Sequence, residues 1–549
     1  MSDRSELVLQ HDVVIVGGGI AGIATALELL DRAPHLDVLM LDRDTPEQWG
    51  GLARWSFGGI FFVGTPQQRL MGIRDTPALA LSDWTRFADF DDDALWPRRW
   101  AEQYTDRGTD DVYRWLRARG IQFFPVVHWV ERGMFEPGNS VPRFHMVWGT
   151  GKGLTETLIE EVRTHRHADR LTVRFRHRVT DLIGDVSGIR GVRGVNEETG
   201  GGFRVEAPQV VVAAGGICGS IDRIRQHWYA PWGDPPETIL NGSHRYADGT
   251  LHDAAADIGA NVTHLDKQWL YAAGIPHPDP EDKPYDALSI VPPKSALWVN
   301  HRGERMGPNP LVSGYDTRFL VEQICQQEKK YSWQVMNWTI AAKELAISGS
   351  EYNAAIRDKK PLQFLKRVLT GSDDVIRDLA ARSPDVVVAD TLDGLVDRMN
   401  ALTGTDDVDR EALRGAIDRY DQQIARGPTF HNDEQLRRIA HLRKYRGDRA
   451  RTCAFQPILD PDARPLVAVR EFILTRKTLG GLQTDLDGHV LATPAADGTA
   501  DPIPGLYAVG EAAGFGGGGI HGLRSLEGTF LGTCLLGGRL AGQAIAAGG

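Results

Sequence analysis

Asp12-Val13-Val14-Ile15-Val16-Gly17-Gly18-Gly19-Ile20-Ala21-Gly22 decides the fold of this chain. The apolar run reads as a buried strand, the glycines as a tight turn, and the apolar period that follows, to about Leu30, as a helix. A second apolar run, Val38-Leu39-Met40-Leu41, ends on Asp42. Strand, glycine turn, helix, strand and acid in this order make a dinucleotide-binding βαβ unit. Gly17 permits the turn, Gly19 lets a pyrophosphate approach the backbone, and Gly22 lets the helix pack on the strand. Ile20 and Ala21 open the helix, whose N-terminal N–H groups face the phosphates, and Asp42, followed by Arg43, accepts from a ribose hydroxyl. The stretch is not read as a signal peptide, because it lacks a basic segment and a cleavage pattern.

A chain of 549 residues calls for two or three domains. Its 42% apolar and 25% charged residues are those of a globular protein, and a net charge of −11 speaks against nucleic acid as a partner. No apolar stretch runs the length of a bilayer without polar interruption, so no transmembrane segment is expected, and the localisation expected is cytoplasmic. The composition leaves a homo-oligomer open. Cys218, Cys325, Cys453 and Cys534 show no CxxC, haem-attachment or iron–sulfur spacing. They read as buried free thiols of a reducing compartment, with no metal centre. The 61 glycines cluster at 17–22, 50–59, 149–153, 200–202, 480–481 and 510–519, as expected where backbone approaches one large ligand.

Further along, helices are expected over 110–119 and 153–163, and short strands over Leu171–Phe175, Val179–Ile183, Gly191–Val195, Phe203–Glu206 and Gln209–Ala213. The last of these runs into Ala214, Gly215 and Gly216, a strand end suited to a nucleotide edge. A Pro-rich stretch from Pro276 to Pro293 marks a boundary, and residues 316–445 are largely helical by period, as at Leu392–Leu402 and Arg410–Ala425. Strand signals return at Leu466–Leu474, Leu482–Asp485 and Gly505–Val509, before a final helix over about Leu526–Ala547. The reading is an α/β protein with a Rossmann-like dinucleotide-binding domain and an inserted, largely helical α+β cap. The boundaries expected are 1–280, 281–445 and 446–549, with a ligand cleft between nucleotide domain and cap.

At this point the chain resembles the flavoprotein superfamily of fumarate reductases, succinate dehydrogenases and 3-ketosteroid Δ1-dehydrogenases, and within it the actinobacterial FAD-binding dehydrogenases. The motifs that carry the resemblance are Gly17–Gly22 with Asp42, Gly51-Leu-Ala-Arg-Trp-Ser56-Phe-Gly-Gly59, Val210–Gly216, Ala247-Asp-Gly249, Leu297-Trp-Val-Asn-His-Arg-Gly-Glu-Arg305, Thr478-Leu-Gly-Gly-Leu482 and Pro504-Gly-Leu-Tyr-Ala-Val-Gly-Glu511. The resemblance implies that Gly17, Gly19 and Gly22 face the pyrophosphate, that Asp42 faces the adenosine ribose, and that Val179 offers backbone atoms to adenine. Ser56, Gly58 and Gly59 would pass beside the isoalloxazine, Gly51 of the same loop would also bind the cofactor, and Glu511, after Gly510, would bind the ribityl chain. Thr529 and Leu531 would lie near the flavin pyrimidine, where a helix N-terminus favours the charge of reduced flavin. Succinate dehydrogenases attach FAD to a histidine in the loop matching 50–59. This chain has none there, so FAD is expected to be non-covalent.

The chain also departs from its relatives. The fumarate reductase pattern His-Gly-x-Asn-Arg-Leu-Gly-Gly-Asn becomes His521-Gly-Leu-Arg524-Ser525-Leu-Glu527-Gly-Thr529. Ser525 stands where the substrate-binding arginine belongs, and Arg524, one place earlier, is swung by about 100° on a helix-like turn. Arg476-Lys477 replaces a pair of histidines, and Arg318 is only a loose match to the fumarate proton donor. Dicarboxylate reduction is therefore disfavoured. The tyrosine segment of the ketosteroid dehydrogenases is missing too, with Leu523–Thr529 in its place.

Desaturating a carbon–carbon bond beside a carbonyl needs a group that polarises the carbonyl, a base, and flavin as hydride acceptor. His521, in a glycine run by the expected flavin site, is a base or an electrophile; its bland alternative is a hydrogen bond to flavin or backbone. Arg524 and Lys477 are candidates to hold a substrate oxygen, against an ion pair with Glu527 for the one and a solvated charge for the other. Arg143 and His145 are candidate cleft residues, against an ordered structural loop, and Tyr315, with Tyr331 and Tyr352, a candidate donor, against a place in the core or on the surface. The basic run Arg437–Arg451 reads as a solvated helix face or an entrance for an anionic substrate rather than a nucleic-acid site. The expected function is FAD-dependent dehydrogenation, or reduction, of a carbonyl-activated C–C bond in a small molecule of steroid or terpenoid type, passing electrons to an unidentified acceptor. The rivals are a flavin-dependent isomerase or hydratase, a fumarate-reductase-like reductase, and an electron-relay flavoprotein.

Overall fold

The computed structural model describes residues 7–496 and 498–548. The chain divides into two compact units: one runs to Tyr229 and adds Ser243–Trp269 and the chain from Arg476, and the other comprises Ala230–Gly242 and Leu270–Thr475. The inserted unit is thus larger than 281–445. Its boundaries fall inside two strands, Gln268–Pro276 and Leu466–Thr478, because both join the inserted unit's own sheet.

In the first unit, Val13–Val16 lies at the centre of a parallel sheet, flanked by Gln209–Val212 and Val38–Leu41. Leu171–Arg174 extends it on one side and Pro502–Ala508 on the other, where His489–Leu491 closes the edge antiparallel. All four residues of Val13–Val16 are buried, as a strand covered on both faces requires. The helix Ile20–Arg32 packs against the last helix, Thr529–Gly548, whose Gly538 lies so close to the Ala21 carbonyl that a Cβ would sit 2.3 Å from its oxygen. Arg539 binds Glu28 across the same contact at 2.5 Å. By length and composition this last helix could cross a membrane, but it is mostly buried, as a core helix is. A second sheet pairs Leu7–Gln10, Gly202–Glu206, Gly188–Asn196 and His177–Asp185.

The other unit is α+β. Leu466–Thr478, 13 residues long, pairs antiparallel with Tyr331–Asn337 and Val386–Ala389 and parallel with Ile239–Asn241. Helices Leu392–Thr403 and Arg410–Ala425 form where the period placed them. The last helix begins at Thr529 rather than 526, because Gly528 takes a φ of +97°.

Candidate functional site

Three glycine-bearing loops meet at the C-terminal end of the parallel sheet. Gly50 donates its N–H to the Gly18 carbonyl at 3.1 Å, which lays the 50–59 loop on the first turn. Gly17 abuts Ala213, just before Ala214 and Gly215, with a would-be Cβ 2.4 Å from the Ala213 oxygen. Gly510 abuts Ala21 and Cys534. Within this cradle a Cβ on Gly22 would lie 2.1 Å from the Gly17 oxygen, whereas one on Gly19 would meet nothing within 4 Å. Gly19 therefore borders open space at the start of the helix that begins with Ile20 and Ala21, and no side chain caps that helix. This is the geometry a pyrophosphate needs, so the residues fit a dinucleotide.

Asp42 stands next to the cradle, its carboxylate accepting from the N–H groups of Gly18 at 2.6 Å and Asp44 at 2.7 Å. Arg43 is held by Glu197 at 3.0 Å and Asp248 at 2.9 Å, over the ring of Tyr246. Val179 is buried in the strand His177–Asp185, whose register slips between Val179 and Asp181. Such a slip leaves backbone groups outside the ladder, as a bound adenine would use.

At the other end of the cradle, Gly51 opens a one-turn helix that Ser56 ends, with the Ser56 hydroxyl donating to the Ala53 carbonyl at 2.8 Å. Gly58 and Gly59 are small because protein fills the space beside them: Thr150 and Gly151 crowd the first, the Phe144 ring the second. The run 516–519 is likewise pressed on Trp96, Trp100, Thr263 and His264. Glycine clustering thus reports chain packing here as well as ligand approach. Glu511 accepts the Thr478 N–H at 2.8 Å, and burial pushes its carboxyl up to about 7 despite that bond and the nearby Lys477. Thr529 and Leu531 occupy the first turn of the last helix, where the Thr529 hydroxyl donates to the Leu526 carbonyl at 2.6 Å.

His521 and Lys477 come together around Phe530. The Lys477 ammonium sits 4.0 Å from the centre of that ring, and the His521 ring lies 4.8 Å from it. His521 is fully buried, stacked on Trp84 at 5.5 Å and flanked by Phe515. The helix Pro77–Ala88 sets this position: the Trp84 indole N–H donates to the Ile520 carbonyl, and the Ala88 carbonyl accepts from Leu523. Among the described residues, neither ring nitrogen of His521 has a hydrogen-bond partner. Burial, and then the charge of Lys477, hold its pKa well below the usual range, so the ring is a neutral imidazole at pH 7. Burial also lowers Lys477 to about 8, against the pull of Glu527 and Glu511. Arg524, three residues on, pairs with Asp89 at 3.2 Å.

Arg143 and His145 do not join this group as ligands. The Arg143 guanidinium is fully buried and bound to Asp75 at 2.8 Å, Asp83 at 2.7 Å and Asn139 at 2.9 Å. His145 bonds Thr65 at 2.7 Å and the Arg143 carbonyl at 2.8 Å. Both tie together a loop and the strand Phe144–Met146. Arg143→Ala is expected to cost about 3–5 kcal/mol of stability, because it takes the cation from the buried Asp75 carboxylate and leaves Asp83 with Arg86 alone. A melting curve checks this; a variant of unchanged stability and raised KM would restore the substrate role. Tyr315 belongs to the other unit, where its hydroxyl meets the Arg438 carbonyl and His441, both at 3.0 Å.

Trp84, Phe515, Phe530 and Thr478 were not among the residues expected at the site. Thr478 bridges it, accepting from the Ile217 N–H at 2.8 Å and donating to the Cys218 sulfur at 3.4 Å. Only Thr478 carried a signal, as the first residue of a quoted motif.

The model of the FAD binding domain family matches residues 12–531. KsdD-like steroid dehydrogenases of Mycobacterium tuberculosis and Mycolicibacterium smegmatis are similar along almost their whole length. The first is 42% identical over 98% of this chain and 96% of its own, the second 43% over 95% and 96%. Among solved structures, 3-ketosteroid Δ1-dehydrogenase from Sterolibacterium denitrificans, in complex with 1,4-androstadiene-3,17-dione, shares the fold. It has a TM-score of 0.68 at 18% identity, over 98% of this chain and 100% of its own. FAD is thus the cofactor the cradle serves, and residues 50–59 offer no histidine for a covalent link. A family match across most of the chain, on a cradle shaped for a dinucleotide, makes this protein a member of the FAD-binding flavoprotein oxidoreductases.

Proposed function

We propose that the protein is a cytoplasmic FAD-dependent dehydrogenase that desaturates a C–C bond next to a carbonyl in a steroid-type substrate. The kinship with KsdD-like steroid dehydrogenases over nearly the whole chain carries this reading. The surroundings of His521 support it: a neutral imidazole with two unpartnered nitrogens among Trp84, Phe515 and Phe530 suits an apolar molecule with one polar oxygen. Four buried free cysteines fit a reducing compartment.

Bound FAD supplies the two-electron acceptor for the hydride. His521 donates its N–H to the carbonyl oxygen, in the manner of a neutral imidazole electrophile. Lys477 adds positive charge, which favours electron density gathering on that oxygen. Trp84 and Phe530 keep water from the imidazole, so its donor is not spent on solvent. Glu511 holds the Thr478 backbone, and through it the strand end that carries Lys477. Arg524 is engaged by Asp89 instead. The acceptor that reoxidises the enzyme is a quinone or another small carrier.

The first test is anaerobic titration of the oxidised holoenzyme with a 3-oxo-4-ene steroid. Loss of the flavin absorbance band is expected; an unbleached flavin that dithionite still reduces would rule out this substrate class. A second test uses pH. The Lys477 ammonium loses its proton as pH rises through about 8, so kcat/KM is expected to fall on that limb. Lys477→Arg, which stays charged, is expected to keep activity at higher pH, and the same alkaline limb in this variant would remove Lys477 from the mechanism.

A further inference from the structure

We propose that the helix Pro361–Thr370 docks the protein on an anionic lipid bilayer by seating Leu362 and Leu365 in the headgroup region. The helix is ten residues long and starts with proline at its first position, which sets a sharp boundary. Leu362 is 82% exposed and Leu365 53% exposed, and at a spacing of three they share one face. No side chain described on this helix is fully buried. Two large aliphatic groups side by side on one exposed helix face leave apolar area that a partner surface can cover.

Charge identifies the partner. From Lys359 to Thr370 the chain has four basic residues and no acidic one, in a protein of net charge −11. Lys360 contacts Asp358 at 3.8 Å, and Arg367 binds Asp374 at 2.6 Å. Lys359 and Lys366 form no ion pair among the described residues and are exposed beside the leucines. Apolar side chains ringed by unpaired lysines match a surface with an apolar interior and negative headgroups, and the long lysine stems can reach the phosphates while the leucines insert. The contact is peripheral, so the protein would be released by salt.

The test is co-sedimentation of the holoenzyme with vesicles of phosphatidylglycerol and phosphatidylcholine in equal parts, and with vesicles of phosphatidylcholine alone. Binding to the mixed vesicles is expected to exceed binding to neutral ones by at least about tenfold and to weaken in high salt. The double variant L362E/L365E is expected to lose the binding, and K359E/K366E to lose the preference for anionic lipid. Both variants should keep the melting temperature and the flavin content of the parent. Wild type that stays in the supernatant with either vesicle would overturn the proposal. So would L362E/L365E that sediments like the parent. If L362E/L365E instead lowers the oligomeric state in gel filtration while lipid binding is absent, the face belongs to a protein contact and the proposal fails.

Discussion

His521→Phe is expected to lower kcat by about 10²–10³-fold while FAD stays bound, the loss usual for removing one donor to a developing oxyanion. Phenylalanine fills the same slot against Trp84, Phe515 and Phe530, so the aromatic packing and the fold persist. What disappears is the ring N–H, which nothing in the protein occupies. The substrate carbonyl then faces a dry apolar wall, and the electron density that gathers on it loses a stabilising dipole. His521→Gln keeps an N–H donor and should recover part of the rate. Because burial holds the imidazole neutral, with its pKa well below the usual range, His521 should add no limb to the pH profile near neutrality. Stopped-flow reduction of the enzyme-bound flavin by substrate measures the chemical step directly. An unchanged reduction rate with weakened flavin binding would make His521 a cofactor-packing residue and remove it from the chemistry.

The part of the molecule that local periodicity governs was readable in the sequence. Val13–Val16, Ile20–Arg32 and Val38–Leu41 form where the apolar runs and the glycine turn placed them, because each is decided by a few neighbouring residues. The extent of the inserted unit was not. Tyr331–Asn337 lies amid helices and becomes a strand by pairing with Leu466–Thr478, more than a hundred residues away. His521 could be named as a candidate from its glycine run, but its environment could not, since Trp84 reaches Ile520 across 436 residues. Arg143 shows the opposite case. The sequence leaves it open between a cleft residue and part of an ordered loop, and Asp75 and Asp83, 68 and 60 residues earlier, take its donors. A sequence shows that a cation is present; only the fold shows whether its charge is already spent.

Gly19→Glu is expected to abolish FAD binding while leaving the apoprotein folded. Gly19 has a φ of −68° and a ψ of 176°, an extended conformation that any residue adopts, and a Cβ there meets no protein atom within 4 Å. The new side chain therefore costs the chain little. A carboxylate at the start of the helix Ile20–Arg32 is favourable in the apoprotein, because it faces the positive end of the helix dipole. The same place is where the two phosphates of FAD must come, so the variant meets them with bulk and with like charge. Like-charge contact of this kind costs several kcal/mol, which lowers affinity by at least about a hundredfold. Gly22→Ala is the contrasting control: its Cβ would lie 2.1 Å from the Gly17 oxygen, so it should lose flavin by deforming the turn and lower the melting temperature as well. Flavin content after purification, FAD titration of the apoprotein by fluorescence quenching, and melting curves separate the two cases. Gly19→Glu purified with a full complement of flavin would mean that the phosphates bind elsewhere in the cradle.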